Sequence, residues 1–402
     1  MIPETLEVIP RMRAAADPIR VAVVCDFPEE GWPSMDLVGA MLVENLGRDR
    51  AERVAASRVC PPFKHRFSRI WKSGGGRIAS NTDRLLNRFW FYPGYIGRLS
   101  GQFDVFHIAD HSYSQLIHQL PAERTVVTCH DLDTFRCLLE PEREPRSFLF
   151  RAMTQRILAG FRRAAKIACD SRWTRDEILS YRLVPAERLE VVPVGVGPVF
   201  TPKADLAADA QVERLLGGPD RRTVYLLHVG STIRRKRIDV LLRTFARVHK
   251  ELPATQLLRV GGPFDEPQLD LVRSLKLRDS VTVLPFLTAE VLAAVYRRAT
   301  LLLLTSEAEG FGFPMIEAMA CGTPAVVSDL PVLRETGGTA AEYCPVADVE
   351  AWSSKVAALL KQREGWRSRR TALRQMGPAQ ASHFSWAVHA ERMIGIYTGL
   401  VP

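Results

Sequence analysis

The sequence predicts an α/β protein with two Rossmann-like domains, each built on a parallel sheet. Apolar runs of strand length alternate with amphipathic helical patterns, and this alternation starts twice, at residues 21–25 and at residues 223–229. Each start is followed by a glycine-containing turn and a helical pattern. Strands that are apolar throughout and separated by helices are typical of parallel sheets covered on both faces.

In the first half, residues 28–33 form the turn, and Leu37, Val38, Met41 and Leu42 follow at helical spacing. In the second half, the helix after residues 230–232 carries an apolar stripe. Its members are Ile238, Leu241, Leu242, Phe245 and Val248. The further strands are predicted at 105–109, 125–129, 166–169, 189–194, 257–260, 281–284, 300–304 and 325–328.

Glycines and prolines interrupt the periodicity at residues 195–208, which predicts a domain boundary there. We therefore expect an N-terminal domain over residues 1–200 and a C-terminal domain over residues 201–385. A final helix over residues 386–402 follows the second sheet and is expected to pack back on the first domain.

The composition is that of an ordinary globular chain, because 47% of the 402 residues are hydrophobic and 25% are charged. No apolar run reaches the length of a membrane-spanning helix, and the first 18 residues lack the apolar core of a secretory signal. The seven cysteines are scattered, without a CxxC pair. These features predict a cytoplasmic protein with reduced, buried cysteines.

The net charge of +9 is concentrated in one segment, since residues 64–98 hold eight lysines and arginines against the single Asp83. Aromatic side chains are interleaved with these cations. The combination predicts a peripheral contact between residues 63–99 and an anionic membrane surface. A nucleic-acid partner is not expected, because no helix-turn-helix, zinc-finger or RNP-type pattern accompanies the charge.

The clearest candidate site follows the predicted strand at 300–304. There Gly310 and Gly312 allow close approach of a ligand to the backbone, and Pro314 suits the first turn of a helix. Glu309 then lies in the loop, and Glu317 lies about one turn into the helix. Two carboxylates at a strand's carboxyl end, beside a helix N-terminus, are placed to contact a polar ligand.

The segment EGFGFPMIEAMACGTPAVVSD, which contains both glutamates, resembles the signature of glycosyltransferase family 4. The segments HVGSTIRRKRIDVLL, RVGG, VTVLPFLTAEVLAAVY, LPVLRETGG and VTCHDL are similar to the family as well. The resemblance covers about residues 20–397. It implies a GT-B fold, in which two domains face an interdomain cleft, and transfer of a sugar from a nucleotide-sugar donor with retention of configuration. The acceptor is expected to be a saccharide or a lipid-linked saccharide.

The resemblance also assigns roles in the second domain. Glu309 is expected at the donor sugar, Glu317 at the nucleotide ribose, and Lys236 at the diphosphate. Many family members have an arginine where this chain has Ser231, so Arg235 or Arg234 is expected to supply the second cation. The remaining candidates for donor contact are Gly230, Ser231, Gly310, Phe311, Gly312 and, near the base, Phe286.

In the first domain, His130 follows an apolar strand, and the resemblance places it beside the sugar or the acceptor. Glu309, Lys236 and His130 are thus the candidate catalytic residues. Gly31, His111 and Asp131 are candidates for the acceptor side. Neither a bound metal nor a cofactor is expected. The alternatives are a nucleotide-sugar epimerase or a glycogen phosphorylase-like enzyme on the same fold, and a basic nucleic-acid-binding protein.

Overall fold

The computed structural model describes residues 17–69, 76–218, 223–361 and 366–401. Its contacts divide the chain into two compact units. Unit 1 comprises Met1–Val194 and Trp386–Pro402, and unit 2 comprises Gly195–Ser385. The division after Val194 falls just before the expected boundary at residue 200.

Unit 1 has a parallel sheet of six strands among its described residues, in the order β2-β1-β3-β4-β5-β6. The strands are β1 (Ile19–Val24), β2 (Val54–Val59), β3 (Val105–Ile108), β4 (Thr125–Cys129), β5 (Lys166–Cys169) and β6 (Leu189–Val191). The helices are α1 (Pro33–Asp49), α2 (Gly76–Leu86), α3 (Tyr92–Gly97), α4 (Arg136–Leu139), α5 (Phe148–Phe161) and α6 (Arg172–Ser180). A π-helical turn, Asn87–Phe91, joins α2 to α3.

Unit 2 has a second parallel sheet, in which the described strands run in the order β12-β11-β10-β7-β8-β9. The strands are β7 (Val224–Val229), β8 (Thr255–Val260), β9 (Val281–Leu284), β10 (Leu301–Leu304), β11 (Ala325–Ser328) and β12 (Glu342–Cys344). The helices are α7 (Leu206–Leu215), α8 (Ile238–Glu251), α9 (Glu266–Ser274), α10 (Ala289–Arg298), α11 (Phe313–Ala320), α12 (Pro331–Gly337), α13 (Val349–Leu360) and α14 (Trp366–Ala381).

The last helix, α15 (Trp386–Thr398), belongs to unit 1. Its apolar residues Met393 and Ile394 join the core cluster formed by β1 and α1. Tyr397 is fully buried there, and its hydroxyl lies 2.6 Å from Nδ1 of His107. The other ring nitrogen of His107 lies 2.7 Å from Oγ1 of Thr128, so this histidine is a satisfied core residue.

Within the segment predicted to contact a membrane, one carboxylate of α2 binds the backbone of residues 66–68. Asp83 accepts hydrogen bonds from the backbone N–H groups of Arg66, Phe67 and Ser68, at 2.9–3.1 Å. Burial opposes its ionisation, but these hydrogen bonds outweigh that effect and lower its pKa to about 2. A carboxylate that is charged throughout the neutral range thus holds the chain before α2.

Two residues of that segment point inward rather than to the surface. Tyr92 is fully buried and donates to the carbonyl oxygens of Cys25 and Val59. The guanidinium of Arg88 lies over the Tyr113 ring, 3.3 Å from the Glu30 carboxylate. Both residues therefore belong to the packing of unit 1. Trp71 and Lys72, also predicted to contact the membrane, lie outside the described residues.

No helix in the described part of the chain has both the length and the hydropathy that membrane crossing requires.

Candidate functional site

The strand order of each sheet reverses at one position. In unit 2 the reversal lies between β7 and β10, and in unit 1 it lies between β1 and β3. The loops after such a pair of strands leave in opposite directions, so the carboxyl ends of the two strands form the usual ligand site of an open parallel sheet. This rule selects residues 230–237 and 305–312 in unit 2.

A buried ion pair joins these two loops of unit 2. Lys236 Nζ lies 2.6 Å from Glu309 Oε1, and the two side chains are 11% and 6% exposed. Ser306 donates to the same carboxylate oxygen at 2.6 Å. Backbone contacts hold the loops together, because the N–H of Glu307 donates to the Arg235 carbonyl and the hydroxyl of Thr305 donates to that of Lys236. The chain thus brings together two residues that are 73 positions apart in sequence.

The Glu309 carboxylate is charged at neutral pH despite its burial. Burial alone would raise its pKa, but the cations of Lys236 and Arg235 and the hydrogen bond from Ser306 outweigh that effect and lower the pKa below its ordinary value. Both described contacts of the carboxylate use Oε1. The second oxygen, Oε2, is therefore the one placed to accept a hydrogen bond from a ligand.

Glu317 has a different environment, although it lies only eight residues further along the chain. It sits on α11 and accepts a hydrogen bond from the Tyr296 hydroxyl, at 2.8 Å on Oε2. Burial raises its pKa to about 7, and the hydrogen bond from Tyr296 only partly opposes this. Glu317 is consequently divided between its acid and carboxylate forms near neutral pH.

Glycines set the path of the backbone around the site. Gly312 caps α11 with φ of 93°, and a Cβ there would lie 2.5 Å from a methyl group of Leu333. Gly261, after β8, has φ of 121°, and a Cβ there would lie 2.1 Å from the carbonyl oxygen of Gly230. Other residues would be strained in these conformations, and at Gly261 the side chain would also collide with backbone.

The other predicted donor residues occupy different positions in unit 2. Arg235 donates from its guanidinium to the Ala308 carbonyl at 3.1 Å, beside the ion pair. Ser231 is half-buried, whereas Phe311 is buried and packs edge-on against Phe313. Phe286 is 76% exposed and follows β9, which lies two strands away from β7 at the sheet edge. Its predicted contact with the base stays a prediction, as do the roles of Gly230 and Gly310.

In unit 1, His130 uses both ring nitrogens. Nδ1 lies 2.6 Å from the Asp170 carboxylate, and Nε2 lies 2.9 Å from the Ala109 carbonyl oxygen. Both partners are acceptors, so a ring that satisfies both carries two protons. Burial would lower its pKa, but Asp170 and Asp110 outweigh burial and raise it to about 9. A hydrogen bond from His130 to a sugar would require one of these contacts to break.

Carboxyl groups gather at the strand reversal of unit 1. Asp26 follows β1, and Asp110 follows β3 and accepts from the N–H and hydroxyl of Ser112 at 2.7 and 2.9 Å. Burial and the neighbouring Asp110 raise the pKa of Asp26 well above its ordinary value. Neither carboxyl oxygen of Asp26 has a hydrogen-bond partner among the described residues.

The predicted acceptor-side residues lie around this group. His111 Nδ1 lies 3.2 Å from Asp110, and its Nε2 lies 3.9 Å from Asp131. Neither contact has hydrogen-bond geometry, and burial lowers the pKa of His111, so its ring is neutral. Gly31 has φ of 75° in the turn after β1, with open space where a Cβ would be.

Within the described ranges, no three histidine, cysteine or acidic side chains are grouped to hold a metal ion. That the protein needs no metal stays a prediction.

Sequence reasoning gave no role to several residues of these sites. Ser306 lies inside the quoted motif, but a serine there gives no sign that it contacts Glu309. Tyr296 comes from α10, and only the fold brings it to Glu317. Asp26 could have been found, because an acidic residue directly after the first apolar strand lies at the carboxyl end of that strand.

Comparison with known families covers most of the chain. Residues 217–378 match the model of glycosyl transferases group 1, and residues 41–200 match the model of glycosyltransferase family 4. The chain belongs to glycosyltransferase family 4. The group 1 match contains the whole Lys236–Glu309–Glu317 region, and the family 4 match contains His111, His130 and Asp131.

Among curated relatives, the D-inositol 3-phosphate glycosyltransferase of Segniliparus rotundus is 32% identical over 55% of this chain and 49% of its own length. The O-antigen chain mannosyltransferase B of Escherichia coli is 29% identical over 70% of this chain and 71% of its own. The matched part spans about half the length of the inositol phosphate enzymes.

Solved structures of other proteins have the same fold. The Anabaena protein HepE, in complex with UDP and glucose, has a TM-score of 0.71 and 15% identity over 95% of this chain and all of its own. Sucrose-phosphate synthase from Thermosynechococcus elongatus has a TM-score of 0.71 and 22% identity over 95% of this chain and 99% of its own. The predicted GT-B fold class, with two parallel-sheet α/β units, is confirmed.

The raised pKa of Glu317 predicts how the stability of the native state depends on pH. Its pKa is about 7 in the fold and near 4.5 in an unfolded chain, so between these values the native state holds a proton that the unfolded state has released. Rising pH therefore destabilises the native state, by about 3 kcal/mol across that window. Glu317→Gln removes this term while keeping an acceptor for Tyr296.

Urea unfolding of both proteins between pH 4.5 and 8 tests this. Relative to wild type, Glu317→Gln should gain stability as the pH rises. The matched control is Glu350→Gln, whose side chain is 84% exposed in wild type. Parallel curves for wild type and Glu317→Gln would contradict the assigned environment.

Proposed function

We propose that this chain is a nucleotide-sugar-dependent glycosyltransferase that moves a sugar to a saccharide or lipid-linked saccharide acceptor. The observation that carries the proposal is the buried Lys236–Glu309 pair at the strand reversal of unit 2, within the segment that matches the group 1 model. A cation and a carboxylate held there suit a donor that has both a diphosphate and a hydroxyl-bearing sugar.

Breaking the glycosidic bond of a nucleotide sugar leaves negative charge on the diphosphate, and a fixed cation lowers the energy of that transition state. Lys236 supplies this cation. Its ammonium group has three N–H donors, and the Glu309 contact needs only one of them. Lys236 can therefore bind a phosphate oxygen while it keeps Glu309 in position.

The two glutamates bind the two parts of the donor that carry hydroxyl groups, the sugar and the ribose. Glu309, charged and with Oε2 available, accepts hydrogen bonds from sugar hydroxyls near the reacting carbon. Glu317, on α11, accepts from the ribose hydroxyls. Gly310 and Gly312 let the backbone N–H groups of this loop approach the sugar and the phosphates. Retention of configuration, which the family resemblance implies, is part of this proposal.

Unit 1 binds the acceptor in this proposal. A saccharide presents hydroxyl groups, and the carboxyl and imidazole groups of Asp26, Asp110 and His111 can accept or donate the matching hydrogen bonds. Within the described part of the chain, the Asp26 carboxyl oxygens and the His111 ring nitrogens have no hydrogen-bond partner. This supports the role, because buried polar atoms ordinarily have such a partner.

The relatives guide the choice of donor. HepE, which shares the fold, was crystallised with UDP and glucose, and one curated relative is named a mannosyltransferase. The first experiment is therefore a thermal-shift screen of UDP-, GDP- and ADP-sugars, followed by an assay of donor hydrolysis. A donor at 100 times its dissociation constant should stabilise the protein by about 2.7 kcal/mol. Absence of any shift or hydrolysis would contradict the proposal.

Lys236→Met tests the diphosphate contact. The change removes the cation but keeps the length of the side chain, and we expect a loss of about 3 kcal/mol in transition-state stabilisation. The measurement is kcat/KM for donor turnover. Arg247→Met, at a position of α8 whose side chain is 57% exposed, is the matched control and should act like wild type. Equal, small effects of both changes would contradict the assignment.

We also expect turnover to survive chelation. Lys236, Arg235 and the N-terminus of α11 already supply positive charge where a divalent ion would otherwise neutralise the diphosphate. Donor turnover is measured with and without EDTA. Loss of turnover on chelation, restored by Mg²⁺ or Mn²⁺, would contradict this expectation.

A lipid-linked acceptor would be met at a membrane, and the surface of unit 1 supports such a contact. Two large apolar residues are mostly exposed: Trp90, in the π-helical turn, is 75% exposed, and Ile78, in α2, is 72% exposed. The cations of Lys64 and Arg66 lie 4.3 and 4.7 Å from the centre of the Phe91 ring. Exposed aromatic and aliphatic groups beside cations are typical of surfaces that bind anionic lipid.

Co-sedimentation with vesicles tests this surface. We expect binding to phosphatidylserine-rich vesicles at low salt, with about 1 kcal/mol lost for each of Lys64→Gln and Arg66→Gln. Trp90→Ser should also weaken binding, whereas Leu206→Ser, at a residue of unit 2 that is 85% exposed, should not. Equal recovery of all variants in the supernatant would exclude a role for this surface.

A further inference from the structure

A second basic residue lies beside the loops of the donor site in unit 2, and no sequence motif assigns it a role. Arg259 is in β8 and pairs in register with His228 of the neighbouring strand β7. Both residues are fully buried near the carboxyl ends of their strands. Most positions in these two strands are apolar, so a buried arginine beside a buried histidine needs a physical reason.

The hydrogen-bond partners of Arg259 are neutral. Its guanidinium donates to the carbonyl oxygen of Gly230 at 3.0 Å and to that of Gly262, and it lies 5.1 Å from the ring of Phe264. Its Nε has no partner, and no carboxylate of the described residues forms an ion pair with it. A buried cation without a counter-charge is costly, by several kcal/mol in typical proteins.

His228 is also unsatisfied. Neither of its ring nitrogens has a hydrogen-bond partner among the described residues. Burial, together with the charges of Arg259 and Lys236, lowers its pKa to about 3, so the ring stays neutral. The ring carbon Cε1 lies 3.4 Å from the point where a Cβ of Gly230 would be, and Lys236 Cε lies 3.8 Å from the same point.

Three basic side chains, Lys236, His228 and Arg259, thus surround the Gly230 turn, and of these only Lys236 has an acidic partner in the part of the chain that the structure describes. Other cations nearby are paired differently, since Arg237 contacts both Asp239 and Glu307. The loop from Gly230 and the loop from Gly261 touch, because Gly261 has no side chain to hold them apart. Excess positive charge behind two touching glycine loops favours an anion bound on those loops.

We propose that Arg259 is a positioning residue for the donor diphosphate: it fixes the Gly230 and Gly262 loops, and its unbalanced charge is balanced by the diphosphate bound there. The inference rests on the proposed function. It also bears on Ser231, which stands where many family members have an arginine. The cation of Arg259, on the neighbouring strand β8, would supply the positive charge that such an arginine provides. Arg259 acts through the loops and its electric field, because it is fully buried.

Two substitutions separate the charge from the hydrogen bonds. Arg259→Lys keeps the cation, whereas Arg259→Gln keeps an N–H donor for a carbonyl but removes the charge. Binding of inorganic pyrophosphate, UDP and GDP is measured by calorimetry, with uridine and guanosine as uncharged probes. Arg247→Gln, at an exposed position, controls for the loss of one positive charge from the protein.

We expect Arg259→Gln to weaken binding of pyrophosphate and of the preferred nucleoside diphosphate by on the order of tenfold, with the nucleoside affinity unchanged. Arg259→Lys should retain most of the affinity. A purely structural role would instead weaken nucleoside and diphosphate alike, and would not distinguish the two variants.

Several results would overturn the inference. Equal diphosphate affinity of wild type and Arg259→Gln would do so while leaving the proposed function intact. If Arg259→Gln fails to fold, Arg259→Lys decides: near wild-type affinity supports the role of the charge, and a tenfold loss contradicts it. Wild-type protein that binds no diphosphate would overturn both this inference and the proposed function.

Discussion

The reversal of strand order in each parallel sheet determines where chemistry can occur in this chain. All strands of a parallel sheet end at the same edge, but only at the reversal do neighbouring loops diverge and leave room for a ligand. In unit 2 that position joins the loops after β7 and β10, and it accounts for the contact between Lys236 and Glu309. In unit 1 it joins the loops after β1 and β3, which carry Asp26 and Asp110.

The two reversals have opposite electrostatic character. In unit 2, Lys236 and Arg259 are two cations at the reversal, and among the described residues Glu309 is the one carboxylate in an ion pair with either of them, which suits an anionic ligand. In unit 1, Asp26 and Asp110 lie together at the reversal, and burial together with Asp110 raises the pKa of Asp26 well above its ordinary value. Neutral hydroxyl-bearing ligands are better suited to that mixture of donors and acceptors than a diphosphate is.

The sequence predicted most strands because most are apolar throughout. It missed β2 (Val54–Val59) and β12 (Glu342–Cys344), which lie at sheet edges and have mostly exposed or half-buried positions. It also predicted that Tyr92 and Arg88 would face a membrane, since composition cannot tell an aromatic-rich surface from a packed one. Their partners, the Cys25 carbonyl and Glu30, are distant in sequence.

Only some residues of the candidate site were predicted, because a sequence shows local motifs but not contacts between distant elements. Lys236, Glu309 and Glu317 lie in local motifs, which a single sequence can display. Tyr296 and Arg259 contact residues of other elements, and only the register of the strands and the packing of the helices create those contacts. The pairing of His228 with Arg259 depends on the alignment of β7 with β8, which no local pattern reveals.

Glu309 and Glu317 illustrate how the fold gives one residue type two behaviours. Both are buried carboxyl groups within one short motif, but Glu309 faces two cations and Glu317 faces one phenol. The cations keep Glu309 ionised, so it holds Lys236 as a carboxylate, and in the proposed reaction it would face developing charge at the sugar without a change of protonation. Glu317 lacks a cation, so its ionisation depends on what binds beside it. Hydroxyl donors from a ribose would stabilise its carboxylate form, and donor binding would thereby release a proton from Glu317.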